Sequence, residues 1–192
     1  MRAVFFKGNN HPLEIRDIKK PKPVKDQVLV KMKYAALNHR DLWIMSEQTN
    51  AGDGIILGSD GAGIIESGGE DVDPMLSGKG GIINPRFKLG HKPVGQGGSF
   101  QIFGYPDNGT FSDYLLISKK YIFEKPEHLS FSEAAAVPLS ALTAYRALFS
   151  KARLRPGEKV LITGIGGSAA LWTMQFAVHY KANVFVTSGK QE

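Results

Sequence analysis

Residues 159–192 read KVLITGIGGSAALWTMQFAVHYKANVFVTSGKQE, and the order of patterns in that stretch decides the fold class. Lys159-Val-Leu-Ile-Thr163 is a short apolar run of β-forming residues set between Pro156-Gly157 and Gly164, the pattern of a buried parallel strand. A glycine-rich turn, Gly164-Ile-Gly-Gly-Ser-Ala169, follows at once, and Ala169 to Lys181 then carries apolar residues at helical spacing. A second apolar run, Asn183-Val-Phe-Val-Thr187, completes strand, turn, helix and strand in about 30 residues, the span of a Rossmann β-α-β unit.

The G-x-G-x-x-A turn has a physical reading. Gly164 permits the tight turn, and Gly166 removes the Cβ that would hold the backbone away from a pyrophosphate. Gly167 and Ser168 lead into the helix, whose first N–H groups lack intrahelical partners and face the phosphates, while Ala169 lets helix and strand pack closely. A dinucleotide is therefore the expected cofactor, with Gly164, Gly166, Gly167 and Ser168 holding it. NAD-specific units place an Asp or Glu at the end of the second strand to grip the ribose hydroxyls. Here the strand ends Val186-Thr-Ser-Gly-Lys190, with no carboxylate at that place. The Ser188 hydroxyl and Lys190 ammonium can donate to a 2′-phosphate, which predicts NADPH in preference to NADH.

Upstream, Ser130-Phe-Ser-Glu133 is a capping box that opens a helical run, with Pro138 ending or kinking its first part and Leu139 to Lys151 continuing it. The N-terminal part reads differently. Ala3–Phe6, Leu13–Ile18 and Gln27–Met32 are short β-like runs separated by breakers, among them Pro21 and Pro23, which predicts a small antiparallel β-domain. In Ile55–Glu66 closely spaced glycines interrupt strand residues, and Gly58, Gly61 and Gly63 imply bulges or close backbone approach. The stretch from Glu70 to Gly109 is glycine-rich and poorly patterned.

Composition narrows the function. The 192 residues are 42% hydrophobic and 22% charged, ordinary for a globular chain of one large or two small domains. There is no run of about 18 apolar residues and no signal-peptide core, so a cytoplasmic protein without a membrane partner is expected. The absence of cysteine excludes disulfides and thiolate metal sites. The net charge of +6 is scattered rather than gathered in a basic run, which suits anionic cofactors and gives no reason to expect nucleic acid.

MRAVFFKG, ALNHRDLW, LGSDGAG, GTFSDYLLI, AAAVPLSALTAYRAL and GEKVLITGIGG occur in that order. In this the chain resembles the medium-chain dehydrogenase/reductases, in particular their zinc-independent, quinone-oxidoreductase-like branch. The resemblance implies an α/β chain with a β-rich GroES-like catalytic domain over residues 1–128, a connecting helical segment over 129–155, and a Rossmann domain beginning at 156–192. It also implies NAD(P)H in the cleft between domains and a homo-oligomer, dimer or tetramer. Only the first β-α-β unit of the Rossmann domain is expected in these residues, and so a chain shorter than the working enzyme.

The zinc-dependent branch has a cysteine where this chain has Asn38 and a His-Glu pair where it has Ser59-Asp60, so two metal ligands are missing and no zinc is expected. Without a Lewis acid, hydrogen bonds must polarise the acceptor, which favours quinones, enones and other activated carbonyls over unactivated alcohols. Asn38 is the first candidate for the acceptor pocket and the cofactor's reactive end, Asp41 for orienting it, and Ser59 is a weaker candidate. The resemblance also places Thr143 near the nicotinamide. His39 is read as a surface or packing residue. The alternatives to a small-molecule reductase are a cofactor- or RNA-binding protein without turnover and a partial chain inactive alone.

Overall fold

The computed structural model describes residues 1–87 and 100–189, which fall into two compact units, one up to Pro138 and one from Leu139. The first unit runs β1 (Arg2–Phe6), β2 (Glu14–Asp17), β3 (Gln27–Ala36), α1 (His39–Glu47), β4 (Ile55–Ile56) and β5 (Asp60–Gly68). It continues through β6 (Gly80–Ile83), β7 (Arg86–Phe87), β8 (Gln101–Ile102), β9 (Tyr114–Ser118), β10 (Ile122–Glu124) and α2 (Phe131–Ala136).

Its main sheet has the order β10-β6-β5-β3-β9, every pair antiparallel, and a smaller sheet has the order β2-β1-β4. Alternation along the strands puts Val28, Val30, Ile65, Ile83, Leu115 and Ile117 into one core. A second cluster of Phe6, Ile44, Ile55 and Leu57 joins α1 to the smaller sheet. The β3–β5 ladder shifts register between Leu29 and Val30 and again between Met32 and Tyr34. At Gly63 a Cβ would lie 2.3 Å from the Lys31 carbonyl oxygen, so this glycine marks the close backbone approach that its spacing implies.

Two elements differ from their sequence reading. Gly80 and Gly81 sit inside β6, a strand the poor patterning of that region left in doubt; a Cβ at Gly81 would come 2.5 Å from the Ile122 side chain, so the glycine seats β10 against β6. The helical run after Pro138 is also not uniform. α3 (Pro138–Tyr145) passes into a π-helical segment, Arg146–Lys151, closed by the Ala152 N–H bonding to the Ala147 carbonyl five residues back. The wider turn accompanies the packing of Leu148 against Leu154 and Ala177.

The second unit also holds β11 (Lys159–Ile162), α4 (Ser168–His179) and β12 (Asn183–Val186). β11 and β12 are parallel, with Lys159 opposite Asn183 and Ile162 opposite Val186, and α4 is their crossover. The capping box forms ahead of α2, the Ser130 hydroxyl oxygen accepting the Glu133 N–H at 3.3 Å and the Ser130 N–H donating to Glu133 Oε2 at 2.8 Å. No helix among the described residues is long and apolar enough to cross a membrane.

Candidate functional site

In the first unit the polar groups gather where β3 hands over to α1. Asn38 is the N-cap of α1, with extended backbone angles, and its N–H donates to Asp41 Oδ2 at 2.8 Å. The Asn38 amide donates to Asp60 Oδ2 at 3.0 Å, so a long-range contact from the first residue of β5 fixes which way the amide points. Asp60 is buried, and its carbonyl oxygen accepts the Thr110 hydroxyl at 2.8 Å.

Asp41 is buried as well, and its Oδ1 makes no well-formed hydrogen bond among the described residues. Burial pushes its carboxyl above the usual aspartate range, partly offset by the Asn38 N–H and the neighbouring Arg40 charge. Beside this corner lies a cavity of about 300 Å³, lined by Asn38, His39 and Asp41 together with apolar side chains that include Leu13, Leu37, Leu42, Leu57 and Phe111. An apolar wall with a few convergent polar groups suits a small organic molecule with one polar end.

The sequence reading brought Asn38 and Asp41 together, and the structure places them together. Ser59 is placed elsewhere: it is fully buried and its hydroxyl donates to the Phe103 carbonyl at 2.8 Å, so it does not line this cavity. Arg40 grips the same segment, donating to the Phe103 and Tyr105 carbonyls at 3.4 and 2.9 Å. Partial burial lowers its pKa without threatening its charge. His39 is exposed, its ring edge-on to Trp43 at 5.0 Å. Asp60 and Arg40 are the residues that sequence reasoning missed. The signal for Asp60 was present, a carboxylate inside an apolar glycine-rich strand, but its partner lies 22 residues away.

In the second unit the glycine turn lies between β11 and α4. Gly164 has φ +67°, the left-handed region, and the Gly167 N–H returns to its carbonyl oxygen at 3.1 Å. Gly167 caps α4, and the helix starts at Ser168. A Cβ built at Gly164 or Gly166 meets no atom of the described residues within 4 Å, so the turn borders open space just ahead of the first-turn N–H groups of α4. That geometry fits a pyrophosphate: a helix N-terminus offers unpaired N–H groups beside glycines whose missing Cβ atoms leave room for it.

Two bonds fasten the turn to Thr187, just past the end of β12, and a third ties Thr187 to the end of β11. The Gly164 N–H donates to the Thr187 hydroxyl at 3.2 Å, the Ile165 N–H to the Thr187 carbonyl at 3.1 Å, and the Thr187 N–H to the Ile162 carbonyl at 3.0 Å. Ser188 follows and is exposed, whereas Lys190 lies outside the described residues. Thr143 stands on α3 with its hydroxyl returned to the Leu139 carbonyl at 2.7 Å, the ordinary bond of a mid-helix threonine. Among the described residues no three His, Asp or Glu side chains gather as a metal would require.

A β-rich unit of this topology, followed by a parallel β-α-β with an open glycine turn, defines the two-part architecture of nucleotide-dependent dehydrogenases and reductases. Residues 24–127 match the alcohol dehydrogenase GroES-like domain. The chain is 32% identical over 95% of its length to the zinc-type alcohol dehydrogenase-like protein YogA of Leptosphaeria maculans, covering 54% of that protein. It is 33% identical over its whole length to the quinone oxidoreductase of Mus musculus, again covering 54%. The crystal structure of an NAD-dependent alcohol dehydrogenase superposes with a TM-score of 0.89 and 32% identity, over 99% of this chain and 58% of that one. The chain belongs to the medium-chain dehydrogenase/reductase superfamily. It spans about half the length of the curated relatives it matches.

Proposed function

We propose that this chain carries the acceptor pocket and the phosphate-binding turn of an NAD(P)H-dependent oxidoreductase that delivers hydride to a quinone, enone or other activated carbonyl. The observation that carries this reading is the glycine turn between two parallel strands at the start of α4, where built Cβ atoms at Gly164 and Gly166 meet no atom of the described residues within 4 Å. Gly164, Gly166, Gly167 and Ser168 hold the pyrophosphate, and the nicotinamide supplies the hydride chemistry when the cofactor is bound. Thr143 is assigned to the nicotinamide end, Ser188 and Lys190 to a 2′-phosphate.

On the acceptor side the apolar cavity holds the body of the substrate and Asn38 presents its second amide proton, the first being committed to Asp60. Asp41 fixes the Asn38 backbone. Zinc has no part in this reading, because the two positions where zinc-dependent relatives carry ligands hold an amide already bonded to Asp60 and a hydroxyl already bonded to Phe103.

The test is a titration of the protein with NADPH and NADH followed by nicotinamide fluorescence, then an acceptor screen by loss of NADPH absorbance. Tighter NADPH binding, turnover with quinones or enones, and a loss of turnover in Asn38→Ala are expected. Absence of binding by either cofactor would overturn the reading, and one zinc per chain after dialysis would overturn its metal-free part. Lys190→Ala should weaken NADPH by about 1–3 kcal/mol, the scale of charge-assisted hydrogen bonds, and leave NADH nearly unchanged.

A further inference from the structure

We infer that Thr187 is a positioning residue for the dinucleotide, acting through the glycine turn rather than by reading the 2′-phosphate; this rests on the function proposed above. A turn that binds phosphate through its own N–H groups must hold those groups in place before the ligand arrives, or the affinity gained from each bond is spent on ordering the loop. Glycines make that difficult, because Gly164, Gly166 and Gly167 are the residues with the most conformational freedom to lose.

The glycines themselves are not held by packing: among the described residues, built Cβ atoms at Gly164 and Gly166 meet no atom within 4 Å, and one at Gly167 meets only the Gly164 carbonyl, at 3.7 Å. Hydrogen bonds supply restraint at the entry to the turn, and two of them converge on one residue. Thr187 receives the Gly164 N–H on its hydroxyl at 3.2 Å and the Ile165 N–H on its carbonyl at 3.1 Å. Its own N–H goes to Ile162, the last residue of β11, at 3.0 Å.

The residue thus closes a small ring from the end of the first strand, across the second, to the start of the turn. Two of the three bonds are backbone bonds that any residue but proline would keep in part. The hydroxyl bond is the one the side chain decides, and it holds Gly164, where the chain enters left-handed φ. A β-branched residue also suits the strand end, so Thr meets both needs at once.

Thr187→Val keeps the shape and the strand propensity but removes the oxygen, whereas Thr187→Ser keeps the oxygen. In the full 192-residue chain, amide exchange resolved by NMR should show Gly164 exchanging about tenfold faster in Thr187→Val, with Val160 to Ile162 unchanged and Thr187→Ser close to wild type. Affinity for NADPH and for NADH should fall together by about fivefold in Thr187→Val, the size of one ordinary hydrogen bond, and recover in Thr187→Ser. Equal loss for both cofactors is what separates a positioning role from phosphate reading at Ser188 and Lys190.

Unchanged Gly164 exchange in Thr187→Val would overturn the inference. So would unchanged cofactor affinity in Thr187→Val while Gly166→Val abolishes binding, a result that leaves the dinucleotide reading intact. Failure of the wild-type chain to bind either cofactor would count against the dinucleotide reading itself, and with it against the role given to Thr187.

Discussion

Replacing Gly166 by alanine separates what the turn needs to fold from what it needs to bind. The added Cβ meets no atom within 4 Å, and Gly166 is not among the glycines with positive φ, so the folded state accepts the methyl without strain. Gly→Ala at a compatible position restricts the unfolded chain and stabilises by about 0.4–1 kcal/mol. The open side of the turn is where the pyrophosphate must approach. A methyl there holds the phosphate oxygens off the backbone donors, and losing two charge-assisted hydrogen bonds of about 1.5–3 kcal/mol each weakens binding by at least about 3 kcal/mol, roughly a hundredfold. Gly166→Ala should therefore be as stable as the wild type in urea or slightly more so, and bind NADPH about a hundredfold more weakly by calorimetry. A variant that unfolds more easily, or binds as tightly as the wild type, would refute the placement of the phosphate against this turn.

The same substitution should act oppositely at Gly109, where a Cβ would lie 1.9 Å from the Gly58 carbonyl oxygen and 2.7 Å from the Leu57 carbonyl oxygen and the Gly104 Cα, all of them backbone atoms that cannot step aside. Gly109→Ala should cost about 3 kcal/mol or more, read as a lower urea midpoint. Arg40→Met keeps length and apolar stem but removes the guanidinium donor from the Tyr105 carbonyl and from the Phe103 carbonyl, which keeps the Ser59 hydroxyl; a loss of about 1–3 kcal/mol is expected, with faster proteolytic cleavage around residues 103–107 as the local readout. Asp41 gives a pH signature. Its folded pKa is raised above the ordinary value of 3.8, so its contribution to stability is full below that value and lost as pH rises through the folded pKa. Measured against Asp41→Asn, which does not titrate, the wild type should lose ground steadily from pH 4 upward and then level off. A difference that is flat with pH would show that burial does not set this group. Asp60→Ala strands the Asn38 amide and should destabilise by about 2 kcal/mol in urea melts.

What the sequence made legible is what depends on neighbours along the chain. The short runs at the N-terminus, the Ser130 capping box, the break at Pro138 and the β-α-β over 159–186 are local patterns, and each formed where its residues stand. Helix α1 was harder to see within Ala35–Trp43, because only Asp41 and Ile44 of its nine residues are buried and Leu42 and Trp43 face solvent. Nine residues make only about two and a half turns, too short a run for a period to stand out, and what starts the helix is the cap at Asn38 with Asp41. The π segment has no sequence signature at all; it is a packing solution around Leu148. At the candidate site, Asn38 and Asp41 are three residues apart and could be paired on sight, but Asp60 and Thr110 meet there only through long-range contacts, and the fate of Ser59 was decided by Phe103, 44 residues on.

The pair Asn38–Asp60 bears on which acceptors the proposed enzyme can use. A metal Lewis acid contributes several kcal/mol by drawing charge onto itself as hydride arrives at the carbonyl. A neutral amide N–H contributes about 0.5–1.5 kcal/mol in its place. Here that amide gives one proton to a buried carboxylate, which pushes electron density toward the amide and makes the remaining N–H a weaker donor, not a stronger one. The pair orients well and polarises little. An acceptor turned over in this cavity must therefore bring its own electron deficiency, as quinones and enones do, and a simple ketone of the same size should bind the apolar wall about as well yet react far more slowly. Matched acceptors that differ only in conjugation should then differ in kcat and hardly in KM, and comparable kcat for the saturated ketone would show that some group other than Asn38 supplies the missing polarisation.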